Sequence, residues 1–327
     1  MTTQITIIGL GQIGTSIGLS LAKYPERVKR IGYDRVLETQ NKAKSLGAFD
    51  EVKFNLPAAI EGADLVLLCI PLDQVEETLK LIAPDLREDA VVMDFSPQKT
   101  VAHKWFAQHI PTGRHYIGLV ATVNPMLLDQ TEYGIEAARA NLFEGASIGI
   151  AAPNGISSQA MKLAADLVEL LGAQTIFLDM LEADGMEMTA HILPQVVSAA
   201  LLNATVGQPG WSEARRFAGR PFTQSTSALG ADTLEALAQA LLNNPLGATY
   251  VLDNAIGALT YMRAAIEKGD QADLQARLKL AYADREEWLG MRQRADWGVG
   301  TEKPEIPVRK GFFNRLILGS WQKDNKK

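Results

Sequence analysis

Ile5-Thr6-Ile7-Ile8-Gly9-Leu10-Gly11-Gln12-Ile13-Gly14 decides the fold. A β-rich run, Gln4–Gly9, leads into three glycines spaced G-x-G-x-x-G, and a helical pattern, Ile13–Lys23, follows directly. Each glycine has its own physical task. Gly9 permits the tight turn, Gly11 lets backbone approach a pyrophosphate, and Gly14 lets the helix pack closely on the strand. The amides of Gln12 and Ile13 open the helix, where unpaired N–H groups and the positive dipole end favour an anion. Asp34 closes the next β-rich run, Arg30–Asp34, twenty residues after Gly14. A carboxylate there accepts hydrogen bonds from ribose hydroxyls and repels a 2′-phosphate, which favours NAD. Arg35 follows immediately and could contact a 2′-phosphate or stack on adenine, so NADP stays open.

Outward from this unit the alternation continues. Strand patterns recur at Leu65–Pro71, Ala90–Asp94, Tyr116–Leu119, Ser147–Ala151 and Thr175–Leu178, and several are nearly all apolar. Helical patterns at Leu37–Leu46, Leu72–Ile82 and Ser157–Leu171 separate them. Strand–helix alternation with short connections predicts a parallel sheet covered on both faces. After Leu178 the pattern becomes almost wholly helical as far as Gly290. Thr189–Ala204 is apolar nearly all round, which predicts a helix covered on most sides, at a subunit interface rather than alone in a small core. The expected organisation is an α/β Rossmann-type domain over residues 1–180 and an all-α helical dimerisation domain over 181–295. A linker and basic tail occupy 296–327.

The chain has 327 residues, with 32 basic and 38 acidic side chains and a net charge of −6. Residues 309–327 alone carry +5, so the remainder is distinctly acidic at −11. An acidic body excludes general phosphate-backbone binding, so no nucleic-acid partner is expected. No apolar run reaches the 18–20 or so residues of a membrane span, and no signal peptide precedes the first strand. These features predict a cytoplasmic protein without stable membrane insertion. A single cysteine, Cys69, forms no internal disulfide and reads as an inert thiol in an apolar strand. His103, His109 and His115 lie six residues apart, unsuited to a helical metal pair, and no metal site is expected.

Beyond the fingerprint, the chain resembles the prephenate/arogenate dehydrogenase family over roughly residues 4–290. The likeness rests on Ile7–Ser16, Gly32-Tyr33-Asp34-Arg35, Ala63–Leu72, Val92-Met93-Asp94 ahead of Lys99, and above all Gly134–Ala146. In the helical half it continues through Leu193-Pro194 and Ala218-Gly219 followed by Phe222. The resemblance implies a homodimer. It also implies NAD(P)-dependent oxidation of a ring hydroxyl with decarboxylation, a step of tyrosine biosynthesis. Pro71, closing the Leu65–Pro71 run, joins Gly9, Gly11, Gln12, Ile13, Gly14, Asp34 and Arg35 as a cofactor-binding candidate.

The chemically specific positions depart from the family pattern. A His-Pro pair, whose histidine is expected to bond the reacting hydroxyl, stands here as Asn124-Pro125. An amide orients a hydroxyl but is no base near working pH. The serine of the family's Asp-x-Gly-Ser-x-Lys run is replaced by Pro97, with Ser96 one residue earlier. His-Leu-Pro-His becomes Ile192-Leu193-Pro194-Gln195, and Thr-Arg, whose arginine is expected to hold a substrate carboxylate, becomes Thr226-Ser227. The catalytic candidates are therefore Asn124 and His191, and the substrate-binding candidates Gln195 and Arg220, with Arg215 and Arg216 beside it. Three readings stand: a dehydrogenase of prephenate or arogenate; a nucleotide-binding homologue with altered chemistry and a sensor or partner role; or a dehydrogenase of a different hydroxy acid, with His191 or Lys99 as the acid–base group.

Overall fold

A computed structural model describes residues 2–130, 132–230 and 233–294. The nucleotide-type half runs β1 (Thr3–Ile8), α1 (Gln12–Leu21), β2 (Val28–Tyr33), α2 (Leu37–Ser45), β3 (Glu51–Val52), α3 (Leu56–Ile60), β4 (Leu65–Leu68) and α4 (Leu72–Ile82). It continues with β5 (Val91–Asp94), α5 (Lys99–His109), β6 (His115–Ala121), β7 (Ser147–Ala151), α6 (Ser158–Leu170) and β8 (Gln174–Leu178). The eight strands form one sheet in the order β3-β2-β1-β4-β5-β6-β7-β8.

Alternation within each strand builds two cores. Ile5, Ile7, Leu65, Leu67, Val91 and Met93 face α1, α2 and α6, packing with Ile17, Leu21, Leu163 and Leu167. Their neighbours Ile8, Val66, Leu68 and Val92 face the other way, onto Ile60, Val75, Leu79 and Phe106 of α3, α4 and α5. Burial on both faces is why these strands read as continuous apolar runs.

The expected all-parallel sheet needs one correction, because β7 runs antiparallel to β6, with Gly118 opposite Ala151 and Ala121 opposite Ile148. A parallel return needs a crossover of a dozen or more residues, usually a helix. The connection between β6 and β7 instead holds two short 3₁₀ turns, Pro125–Leu127 and Gly134–Ala137. The latter turn packs on α1 rather than crossing the sheet. β8 then pairs parallel to β7 through the α6 crossover.

The remainder is helical: α7 (Met180–Glu187), a π turn at Met188–Ile192, α8 (Leu193–Thr205), α9 (Trp211–Ala214), α10 (Arg220–Thr226), α11 (Leu234–Asn243), α12 (Pro245–Lys268) and α13 (Gln271–Arg294). Asp179 caps α7 through the Glu182 amide at 2.8 Å, and Asn244 caps α12 through Gly247 at 3.0 Å. A third apolar cluster joins the halves, with Leu72 of α4 packed among Met188, Ile192, Leu237, Ala240 and Val251. The helix expected over Thr189–Ala204 is split by the π turn. Within one chain it buries only a stripe, at Met188, Ile192, Gln195 and Ser198, and leaves Val197 exposed. The linker and tail expected at 296–327 lie outside the described residues.

Candidate active site

The glycine turn sits where β1 is flanked by β2 and β4, the switch point of the sheet, facing the carboxyl ends of the strands. Gly9 has φ of +92°, and a side chain there would strike the Cys69 carbonyl of the strand alongside. A Cβ on Gly14 would strike the Gly9 carbonyl and press on Ile7, so this glycine lets α1 lie against β1. Gly11 differs: its φ is ordinary at −72°, and a Cβ would meet nothing within 4 Å. No neighbour among the described residues requires glycine there, and the open space matches a bound pyrophosphate. No side chain caps α1, and no acidic residue occupies its first turn. The positive end of its dipole is left for an anion, and the residues present fit a dinucleotide.

Asp34 follows β2. Its Oδ2 accepts the Leu10 amide and its Oδ1 the Val36 amide, both at 2.8 Å. The carboxylate is thus fixed against the glycine turn, and each oxygen keeps a lone pair for a ribose hydroxyl. Gln40 of α2 steadies the same corner by donating to the Asp34 carbonyl at 2.5 Å. Arg35 is exposed beside it, and Pro71 is the residue at the start of α4 across the crevice. Segment 134–139 closes over α1: Gln12 donates to the Ala137 carbonyl at 3.4 Å, and the Arg139 amide donates to Ser16 Oγ at 2.9 Å.

Asn124 lies past β6 on the same edge, buried. Its Oδ1 accepts the Met126 amide at 2.9 Å and its Nδ2 donates to the Asn141 carbonyl at 3.1 Å. The side chain therefore caps the Pro125–Leu127 turn and ties it to the Gly134–Ala146 segment. Ser96 does not face outward in place of Pro97. It is buried, and its hydroxyl donates to Asp94 Oδ2 at 2.7 Å. Lys99 is fully buried, its ammonium donating to the carbonyls of Ser96 and Asp94. Tyr116 donates to Asp94 Oδ2 at 3.1 Å. Burial pushes the Asp94 carboxyl above its ordinary range, against the opposing Lys99 charge. Burial, then the Asp94 charge, pushes the Cys69 thiol well above its ordinary value, so this sulfur is unreactive.

The helical half reaches this edge at several points. Asp184 of α7 accepts the Lys99 amide at 2.5 Å and the Thr100 amide at 3.3 Å. Gln98 donates to the Ala240 carbonyl of α11. The Tyr133 hydroxyl donates to the Ser227 carbonyl at 2.9 Å, so the loop after Asn124 touches the position where the family has an arginine. Arg292 of α13 donates to the Val123 carbonyl at 2.8 Å. His191 is half-buried in the π turn, and its carbonyl accepts from buried Gln195 at 3.2 Å. Ile192, where the family has its first histidine, is fully buried in the helical core. Arg220 opens α10 and is exposed, as are Arg215 and Arg216.

The dinucleotide candidates are thus assembled in one place, while Asn124, His191, Gln195 and Arg220 belong to four separate elements around it. Sequence reasoning missed Asp184 and Arg292. Neither sits in a motif, and each acts across more than eighty residues of chain.

Residues 17–177 match the family model for the nucleotide-binding domain of prephenate dehydrogenase. A cyclohexadienyl dehydrogenase of Zymomonas mobilis is 26% identical over 270 residues, which is 82% of this chain and 89% of that protein. A prephenate dehydrogenase of Lactococcus lactis is 30% identical over 204 residues, 61% of this chain and 53% of its own length. Among solved structures, a prephenate dehydrogenase from A. aeolicus in complex with hydroxyphenyl propionate and NAD+ superposes with a TM-score of 0.74. That match is 22% identical and covers 88% of this chain and 98% of the other, a likeness of fold.

Proposed function

We propose that this chain, which belongs to the prephenate dehydrogenase family through its nucleotide-binding half, is a nicotinamide-dinucleotide-dependent dehydrogenase of prephenate or arogenate. The observation that carries this reading is the glycine turn, with open space at Gly11 and an uncapped, acid-free first turn of α1. The bound nicotinamide would take the hydride from the substrate's ring carbon. The chain's own residues do the rest. The amides of Gln12 and Ile13 hold the pyrophosphate. Asp34, locked by two backbone N–H groups, takes the ribose and sets a preference for NAD, with exposed Arg35 as the route to NADP. Pro71 lines the crevice opposite. Asn124 orients the reacting hydroxyl and His191 moves its proton, while Gln195 and Arg220 stand on the substrate's side.

The same reading makes the protein a cytoplasmic homodimer of tyrosine biosynthesis. Support for the dimer is the amount of apolar surface that one chain leaves uncovered on its helices, including Leu246, Tyr250, Ile256, Leu259 and Tyr261 of α12. Among the described residues, no helix is long and apolar enough to cross a membrane.

One observation favours the second reading, a nucleotide-binding homologue with altered chemistry. Both ends of the Asn124 amide are bonded to backbone, and an amide takes no proton at working pH. The deciding experiment follows NADH production from prephenate and from arogenate at high enzyme concentration, with NADH fluorescence titrated in parallel. Turnover of either substrate upholds the dehydrogenase. Tight NADH binding with no turnover favours the second reading, under which Asn124→His combined with Ser227→Arg recovers activity. A panel of other hydroxy acids then separates a changed substrate from lost chemistry.

A further inference from the structure

α13 is 24 residues long, and the side chain it buries is charged: Arg292, only 6% exposed. The same helix turns Leu278, Leu280, Tyr282 and Trp288 to solvent. At its C-terminal end the neighbouring apolar residues, Leu289 and Met291, are only half-buried, while Arg292 is buried. That end meets the Pro125–Leu127 turn, where Arg292 Nη2 donates to the Val123 carbonyl at 2.8 Å. Desolvating a guanidinium is costly, and an apolar residue would dock a helix on this turn without that cost. Burial pushes the Arg292 guanidinium below its ordinary value.

We infer that Arg292 binds a carboxylate of the substrate at the carboxyl end of β6. The inference rests on the reading above, in which the substrate carries a carboxylate beside the hydroxyl to be oxidised. Val123 adjoins Asn124, the residue placed against that hydroxyl, so the guanidinium stands at the same mouth of the sheet. A carboxylate needs a cation here, because Ser227 has no charge to offer. The other cations of this region sit in different settings. Lys99 is bonded to the Asp94 and Ser96 carbonyls. Arg139 is bonded to the Glu136 and Ala138 carbonyls and paired with Glu132. Arg215, Arg216 and Arg220 lie exposed, where water and salt weaken an ion pair.

A guanidinium carries five N–H donors. One on the Val123 carbonyl and two on a carboxylate gripped side-on leave two for other neighbours, so these roles coexist. The carbonyl anchor also fixes the plane of the fork before the ligand arrives, which lowers the entropy cost of a bidentate grip.

The test uses 3-(4-hydroxyphenyl)propionate and its uncharged amide, each titrated calorimetrically with saturating NAD+ into wild type, Arg292→Gln and Arg292→Lys. Wild type is expected to prefer the acid by about 10- to 100-fold, the scale of one charge-assisted contact. Arg292→Gln is expected to bind acid and amide alike, with affinities for the amide and for NADH at the wild-type level. Arg292→Lys keeps part of the preference, since it retains charge without the fork. An undiminished acid preference in Arg292→Gln overturns the inference and leaves the dehydrogenase reading standing. A glutamine variant that loses acid and amide equally reveals a turn-holding role and overturns it too. A wild type that oxidises prephenate yet shows no acid preference again overturns Arg292 alone. Neither turnover nor acid preference in wild type overturns both.

Discussion

At the scale of single residues, three glycines in one turn do separable work, and the separation can be measured. Gly14 is required by the chain itself, because a Cβ there would run into the Gly9 carbonyl. Gly14→Ala is therefore expected to destabilise the fold by about 1–3 kcal/mol, the usual cost of overpacking, seen as a lower urea midpoint. Gly11 has open space around it and an ordinary φ. Gly11→Ala is expected to leave the urea midpoint nearly unchanged while weakening NADH binding at least about tenfold, the cost of roughly one lost contact to a charged group. Equal NADH affinity in Gly11→Ala and wild type would remove the pyrophosphate from this turn. Ser96 teaches the opposite lesson. One residue from the position of the family's serine, it looks like a substitute in the sequence, but it sits in a bend past β5, where its amide and hydroxyl both turn back to Asp94. Its hydroxyl is spent on Asp94.

At the scale of elements, α5 shows how the two halves hold one another. Its N-cap residue, Gln98, makes no side-chain capping bond, and the free amides of Lys99 and Thr100 are served by Asp184 from α7. A cap delivered across 85 residues performs the task of a local Ser or Asp and also welds the helical half to the sheet's carboxyl edge. Asp184→Ala is expected to cost about 1–2 kcal/mol, read as a fall of several degrees in Tm. The loss should also raise the KM of the substrate more than that of the dinucleotide, because the Asp94–Gln98 loop beside α5 loosens while the glycine turn is untouched. An unchanged Tm would show that α5 needs no such cap. The helical pattern from Ser157 was legible, and Ser157 bonds the Ala160 amide at the start of α6. The π turn at Met188–Ile192 was not legible, because one extra residue in a helical turn leaves composition and periodicity almost unaltered. The antiparallel β7 was equally hidden: strand direction follows from the path of the connection, and an apolar strand reads the same both ways.

At the scale of the whole molecule, the contrast between halves is the main feature. The sheet is covered on both faces by its own helices. The helical half instead leaves Leu234, Leu242, Leu246, Ile256, Leu259 and Ile266 at the surface. Apolar area of this extent is favourable only when removed from water, and a two-fold pairing of the same surface is the commonest way to cover it. Light scattering is expected to give twice the 35.5 kDa of one chain, and Leu259→Glu on α12 is expected to shift the protein toward monomer. A wild type that stays monomeric at micromolar concentration would remove the dimer.

The sequence by itself determined the dinucleotide turn, the acid at Asp34, the alternation of the first half and the helical character of the second. All of these depend on residues within a turn or two of each other, where glycine sterics and side-chain period act directly. It also showed which chemically specific positions differ from the family pattern. Only the tertiary structure decided what occupies their surroundings. It spent the Asn124 amide on backbone, turned Ser96 and Lys99 inward, and left Arg220 in water. It also brought Asp184 and Arg292 to the site from distant helices. The physical reason is that burial and partnership of a polar group are fixed by packing between elements far apart in sequence. No local pattern records that packing.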